Sequence, residues 1–153
     1  EIPYRWMTGT QSHEGIAGTM AAIEHLAWIG RECSGDIRLP RREALRRAFS
    51  AIEEHERGLC LRMIEGLKEV EGIKIWGITD PKRVSERSPT VSFTHPKMKA
   101  AEIGRILADM GVFVWAGNFY ALELTEALGL EPEGVLRAGV LHYNTMGEVE
   151  RFV

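Results

Sequence analysis

The apolar positions change period along the chain, and the changes mark out its elements. From Glu14 they recur at three- and four-residue steps, through Ile16, Met20, Ile23 and Ala27, with Leu26 and Ile29 widening the stripe. That spacing predicts an amphipathic helix. Ser12 is placed to cap it, and Glu14 falls in the first turn, where a carboxylate suits the positive end of the helix dipole. Ser34-Gly35-Asp36 breaks the pattern. A second helix is predicted from Pro40, a residue suited to a first turn. Leu45, Phe49, Ile52, Leu59, Met63 and Leu67 keep the helical step to Val70. Arg41, Arg42, Glu53, Glu54 and Glu56 lie mostly off that stripe and read as a solvated face.

The period then shortens. Ile73-Lys74-Ile75-Trp76 alternates apolar and polar, as a half-buried strand does. Residues 79–89 carry two prolines and five charges and read as a surface loop. Residues 90–94 form a second strand. Pro96 opens a helix that aligns Ile103, Ile106, Leu107 and Met110, Gly111 stops it, and Val112-Phe113-Val114-Trp115 is a third strand. Ala116-Gly117-Asn118 reads as a turn, followed by a short helix to Leu128 with Gly129 as its stop. Residues 135–141 are a fourth strand. Thr145 and Glu148 have the spacing of a capping box for a last short helix that runs to Val153. This order of elements implies an α+β fold: a two-layer small domain, with a mostly antiparallel sheet of about four strands covered by helices.

Composition narrows the function classes. A chain of 153 residues suits one domain. The net charge of -3 carries no basic surplus for nucleic acid or an anionic membrane, so neither is expected as a partner. No apolar run approaches the roughly 20 residues of a membrane span. The chain starts with Glu1 rather than Met and lacks the basic-then-apolar signature of a secretory leader. It reads as a processed or shortened chain. Cys33 and Cys60 both fall in helical patterns and cannot form a disulfide framework, which fits reduced thiols in a cytoplasmic protein. The five histidines are scattered, with no CxxC, HxxxH or HExxH spacing, so no metal site is expected. Generic nucleotide-binding and hydrolase motifs are absent.

Three segments, in order, carry a resemblance. The first is Thr8-Gly9-Thr10-Gln11-Ser12-His13-Glu14-Gly15-Ile16-Ala17-Gly18, ahead of the first helix. The second is Gly111-Val112-Phe113-Val114-Trp115-Ala116-Gly117-Asn118-Phe119-Tyr120-Ala121. The third is Leu136-Arg137-Ala138-Gly139-Val140-Leu141-His142-Tyr143-Asn144-Thr145, followed by Glu148 and Val149. Together they resemble the C-terminal part of class V aminotransferases, fold type I enzymes dependent on pyridoxal phosphate (PLP), and within them the cysteine desulfurase-like branch. The likeness runs from about Thr8 to Val153.

The resemblance implies roles. Residues 1–13 correspond to the tail of a large PLP-binding domain, and 14–153 to the C-terminal small domain. The family's Schiff-base lysine precedes the Gly-Thr segment, and no lysine precedes Lys68 here, so no catalytic residue is assigned in this chain. Gly9 and Thr10 correspond to residues that meet the cofactor phosphate, in the family that of the partner subunit of a homodimer. Arg137 corresponds to the arginine that binds the carboxylate of a small amino-acid substrate. Trp115, Asn118, Phe119 and Tyr120 are candidates for the substrate pocket, although Trp115 and Phe119 also suit a core. His142 and Tyr143 read as structural. Two positions depart from the desulfurase pattern: Trp115 stands where many members have Arg, and Tyr120 where group-II-like members have the nucleophilic Cys. A phenol cannot take up sulfur as a persulfide. The other reading of the chain is a free-standing small α+β module that binds a ligand or a protein and is not an enzyme.

Overall fold

The computed structural model describes Arg5 and residues 9–153. Ile2, Tyr4, Trp6 and Met7, expected to form an apolar arm against a neighbour, lie outside the described residues. The chain forms two compact units, Glu1–Glu53 and Glu54–Val153.

The first unit holds helix α1 (His13–Ser34) and the start of α2 (Arg41–Glu69). The Ser12 hydroxyl caps α1 by accepting the Gly15 amide at 3.2 Å, and Gly35 closes it in the left-handed region at φ 70°. Of the predicted α1 stripe only Ala27 is fully buried; Ile16, Met20 and Ile23 are exposed, as is Phe49 of α2. Small residues are buried instead, namely Ala27, Gly30, Ala44 and Ala48. A Cβ at Gly30 would lie 1.8 Å from the Ala44 carbonyl oxygen. So close a helix crossing is reached only through residues with little or no side chain, and it leaves the larger apolar groups outside. Arg41 pairs with Glu24 at 3.3 Å.

The second unit holds the rest of α2, four strands, a 3-10 turn and three helices. The strands are β1 (Lys74–Trp76), β2 (Thr90–Thr94), β3 (Trp115–Gly117) and β4 (Val135–Gly139). They form one antiparallel sheet in the order β1-β2-β4-β3. The helices are α3 (Ala100–Asp109), α4 (Leu122–Ala127) and α5 (Met146–Phe152). Alternation along β2 and β4 sends Val91, Phe93, Leu136 and Ala138 to one face. There they join Leu59, Cys60, Met63, Ile64 and Leu67 of α2 and Val149 of α5 in a single core. The domain is therefore the α+β kind that the pattern implies, with helices layered on one sheet face.

Several boundaries differ from those expected. Strand β3 begins at Trp115 rather than at Val112, because the Val112 amide still bonds the Leu107 carbonyl of the helix end at 2.8 Å. Helix α3 begins at Ala100, not at Pro96, since the preceding bend is set by the Lys97 amide donating to His95 Nδ1 at 3.2 Å. Within the 79–89 loop, Pro81–Glu86 is a 3-10 turn capped by Asp80, and Val84 reaches the core. Strand β4 ends at Gly139, and the Leu141 amide turns to Asn144 Oδ1. His55 Nε2 lies 2.8 Å from the Asn144 carbonyl oxygen, tying α2 to that turn.

Helix α5 carries the expected capping box. The Thr145 hydroxyl accepts the Glu148 amide, and Glu148 Oε2 accepts the Thr145 amide at 2.6 Å. Arg62 on α2 donates to both oxygens of Glu150 at 2.5 and 2.8 Å. These bonds hold both carboxyls below their ordinary range, Glu148 mainly through the backbone of Thr145 and Glu150 through Arg62. A carboxyl lowered on folding stabilises the folded state above its unfolded value, about pH 4.3, and that contribution fades as pH falls through the folded value. Near neutral pH the docking of α5 should therefore be insensitive to pH, and below that carboxylate range it should weaken. Amide exchange at Val149 and Phe152, followed from neutral to acid, checks this. Thr145→Ala should cost about 1 kcal/mol, the usual worth of a cap, as read by urea denaturation.

Candidate functional site

The sheet face opposite the core carries the candidate residues. In β4, Leu136 and Ala138 point inward, so Arg137 points outward. Its cross-strand neighbours are Ser92 on β2 and Trp115 on β3, and Ser92 in turn faces Trp76 on β1. Trp76, Ser92, Arg137 and Trp115 thus form one row, roughly 14 Å across at about 4.8 Å per strand. Trp115 is 71% exposed and so is not a core aromatic. Lys74, two residues before Trp76, sets its ammonium 3.7 Å from the centre of the Trp76 ring.

The loop after β3 supplies the next layer. Phe119 and Tyr120 both sit in the left-handed region, at φ 57° and 62°. Bulky residues rarely take that conformation, and it places the Phe119 ring under Arg137, whose guanidinium carbon lies 3.9 Å from the ring centre. Tyr120 is fully exposed. Asn118 bridges the loop: its Oδ1 accepts the Tyr120 amide at 3.2 Å, and its Nδ2 donates to Glu131 Oε1 at 3.3 Å. The Thr125 hydroxyl on α4 also donates to Glu131 Oε1. Gly134 lies so near this loop that a Cβ there would sit 2.3 Å from the Gly117 carbonyl.

Arg137 has no carboxylate within ion-pair distance and no hydrogen-bonded acceptor among the described residues. A guanidinium stacked on a ring keeps its edge N–H groups, and these match the two oxygens of a carboxylate. The structure thus brings Arg137, Trp115, Asn118, Phe119 and Tyr120 together. Gly9 and Thr10 belong to the other unit, where both are exposed, and a Cβ on Gly9 would meet nothing within 4 Å. The Thr10 hydroxyl is of the kind that can donate to a phosphate oxygen. Cys60 is buried, and burial pushes its thiol up while Arg87 opposes the shift. Cys33 is exposed on α1. Neither belongs to the 118–121 loop. Tyr143 is exposed, with its ring edge-on to His142 at 5.3 Å.

Trp76, Ser92, Thr125 and Glu131 were not found by sequence reasoning. The first two join the row only through strand order and register. The last two lie in segments that read as an ordinary helix and loop.

The sequence profile of class V aminotransferases matches residues 42–152. The chain belongs to the class V aminotransferase family. A probable cysteine desulfurase of Mycobacterium leprae is 33% identical over 99% of this class V chain and 31% of its own length. The chain spans about a third of the length of the curated relatives it matches from end to end. The apo structure of a cysteine desulfurase from Thermococcus onnurineus superimposes with a TM-score of 0.63 at 32% identity, covering 73% of this chain and 26% of that one. A cysteine desulfurase of Escherichia coli shares the fold, with a TM-score of 0.71 at 24% identity over 97% of this chain and 31% of that one. No described helix is long and apolar enough to cross a membrane.

Proposed function

We propose that this chain is the substrate-carboxylate-binding part of a PLP-dependent enzyme that acts on the amino group of a small amino acid. The carrying observation is Arg137: a guanidinium on the open sheet face, stacked on Phe119 and without an internal carboxylate partner among the described residues. Family membership supports the cofactor, and the relatives' names support an amino-acid substrate. PLP, when bound, supplies the electron sink for chemistry at the substrate's α-carbon.

This chain's own residues bind and orient. Arg137 takes the carboxylate through its two-pronged edge, and Phe119 holds the guanidinium plane. Trp115 and Tyr120 shape the wall where the substrate side chain lies. Gly9 and Thr10 offer the backbone approach and hydroxyl for the cofactor phosphate. Residues 1–13 act as the tail of the large cofactor domain and 14–153 as the small domain of a cytoplasmic homodimer. Taken alone, the 153-residue chain turns over no amino acid.

Tyr120 at the position of the desulfurase nucleophile sets the reaction type apart from persulfide-forming cysteine desulfuration. The complete PLP-loaded polypeptide carrying this chain should process a carboxylate-bearing amino acid and release no sulfide from cysteine above the PLP background. Cys33→Ser and Cys60→Ser should leave turnover unchanged. Sulfide release that either serine substitution abolishes in a folded protein would overturn this reading. Failure of every amino acid to react in the loaded protein would favour the non-enzymatic module.

A further inference from the structure

We infer that Glu131 is the positioning residue of this site, setting the Arg137 guanidinium through Asn118 and the Phe119 ring. The inference deepens the reading of Arg137 as a carboxylate binder and rests on it. Glu131 touches no part of the sheet row directly in its hydrogen bonds. Its Oε1 accepts from two sides, from the Thr125 hydroxyl on α4 and from Asn118 Nδ2 at 3.3 Å. Thr125, at 4% exposure, is the buried polar side chain among the described residues, so its partner is shielded from water on that side. An ionised carboxylate suits a place where both neighbours donate, because it accepts without offering a competing hydrogen.

The clamp continues through Asn118. With Nδ2 held by Glu131, Asn118 Oδ1 is turned to the Tyr120 amide at 3.2 Å. Phe119 is caught between the two ends of that bridge. Its left-handed backbone at φ 57° persists only where surrounding contacts over-determine it. The Ala121 amide closing on the Asn118 carbonyl at 2.9 Å, the Asn118 side chain and, behind it, Glu131 are those contacts, and the outcome is a ring 3.9 Å from the guanidinium carbon of Arg137. Without the side-chain clamp the turn keeps only its backbone bond, the ring loosens, and the guanidinium swings more freely on its stem. A flexible arginine then loses rotational freedom on binding that the stacked one has already given up.

The test reads Arg137 directly. Phenylglyoxal condenses with guanidinium groups, and peptide mass mapping gives the modification rate at Arg137 in the folded protein. Glu131→Ala should raise that rate about two- to fivefold, the worth of an exposed cation–π contact. Glu131→Gln, which keeps an acceptor oxygen, should restore most of the protection. In the complete PLP-loaded polypeptide, Glu131→Ala should raise KM for the amino acid by a similar factor, with kcat and PLP affinity nearly unchanged. Asn118→Ala, which cuts the bridge without disturbing Thr125, should reproduce both effects should Glu131→Ala fail to fold. Unchanged Arg137 reactivity and KM in a folded Glu131→Ala or Asn118→Ala protein would overturn the inference and leave Glu131 a structural residue. The modification rate is independent of what Arg137 binds. Loss of the carboxylate reading itself would show separately, as amino-acid kinetics indifferent to Arg137→Lys.

Discussion

Arg137→Lys in the complete PLP-loaded polypeptide is expected to lower kcat/KM for carboxylate-bearing amino acids roughly ten- to a hundredfold, about 1.4–2.7 kcal/mol. Lysine keeps the charge but presents a point donor in place of a planar fork, so one of two charge-assisted bonds is lost. It also forfeits the flat stacking on Phe119 that the guanidinium makes. Arg137→Ala should exceed the upper end of that range. Arg137 points away from the core and pairs with no carboxylate among the described residues, so neither substitution should lower stability by more than about 1 kcal/mol, the worth of the stacking on Phe119. PLP titration should be nearly unchanged, since Gly9 and Thr10 are the proposed phosphate contacts. Steady-state kinetics and cofactor titration on the same variants separate the two effects. Untouched kinetics, or outright unfolding, would make Arg137 a structural arginine.

Phe93→Ala is expected to cost about 3–5 kcal/mol in urea denaturation. Phe93 is 2% exposed, sits on the central strand β2 opposite Ile75 of edge strand β1 and Leu136 of β4, and lies 6.1 Å ring to ring from Phe152 of α5. Its removal opens a cavity beneath the strand that carries Arg137. The surrounding groups, Leu136 on β4 and the α2 residues Met63 and Ile64, come from elements fixed by the sheet and by the helix and cannot collapse fully into the space. A loss of that size is a large fraction of the 5–15 kcal/mol that holds a typical domain together. A cost below about 1 kcal/mol would mean that the core repacks freely and that this sheet is not a rigid platform for the site.

Local signals determined much of this protein. The capping box of Thr145 and Glu148, the stop at Gly35 and the strand at residues 90–94 are where the residues alone place them. Each depends on neighbours a few positions away, so short-range rules suffice. The outward direction of Arg137 follows from period-two alternation between buried Leu136 and Ala138. The α+β class follows from the order of elements. The three segments that resemble class V aminotransferases led to the family whose profile matches residues 42–152.

Tertiary structure decided the rest, where partners are distant along the chain or where packing overrides pattern. The apolar stripe of α1 reads as a core face, yet a glycine–alanine crossing takes its place, because backbone approach at Gly30 is set by what Ala44 and Ala48 leave room for. The row of Trp76, Ser92, Arg137 and Trp115 exists only once the strands pair in the order β1-β2-β4-β3. Register is a long-range choice, and no single strand encodes it. The left-handed backbone at Phe119 and Tyr120 is disfavoured by both residues' own propensities, and the Ala121 amide on the Asn118 carbonyl together with the Asn118 side chain, backed by Glu131, holds it in place. Local physics alone would have placed that ring elsewhere, which is why the stacking under Arg137 belongs to the fold and not to the residues read one after another.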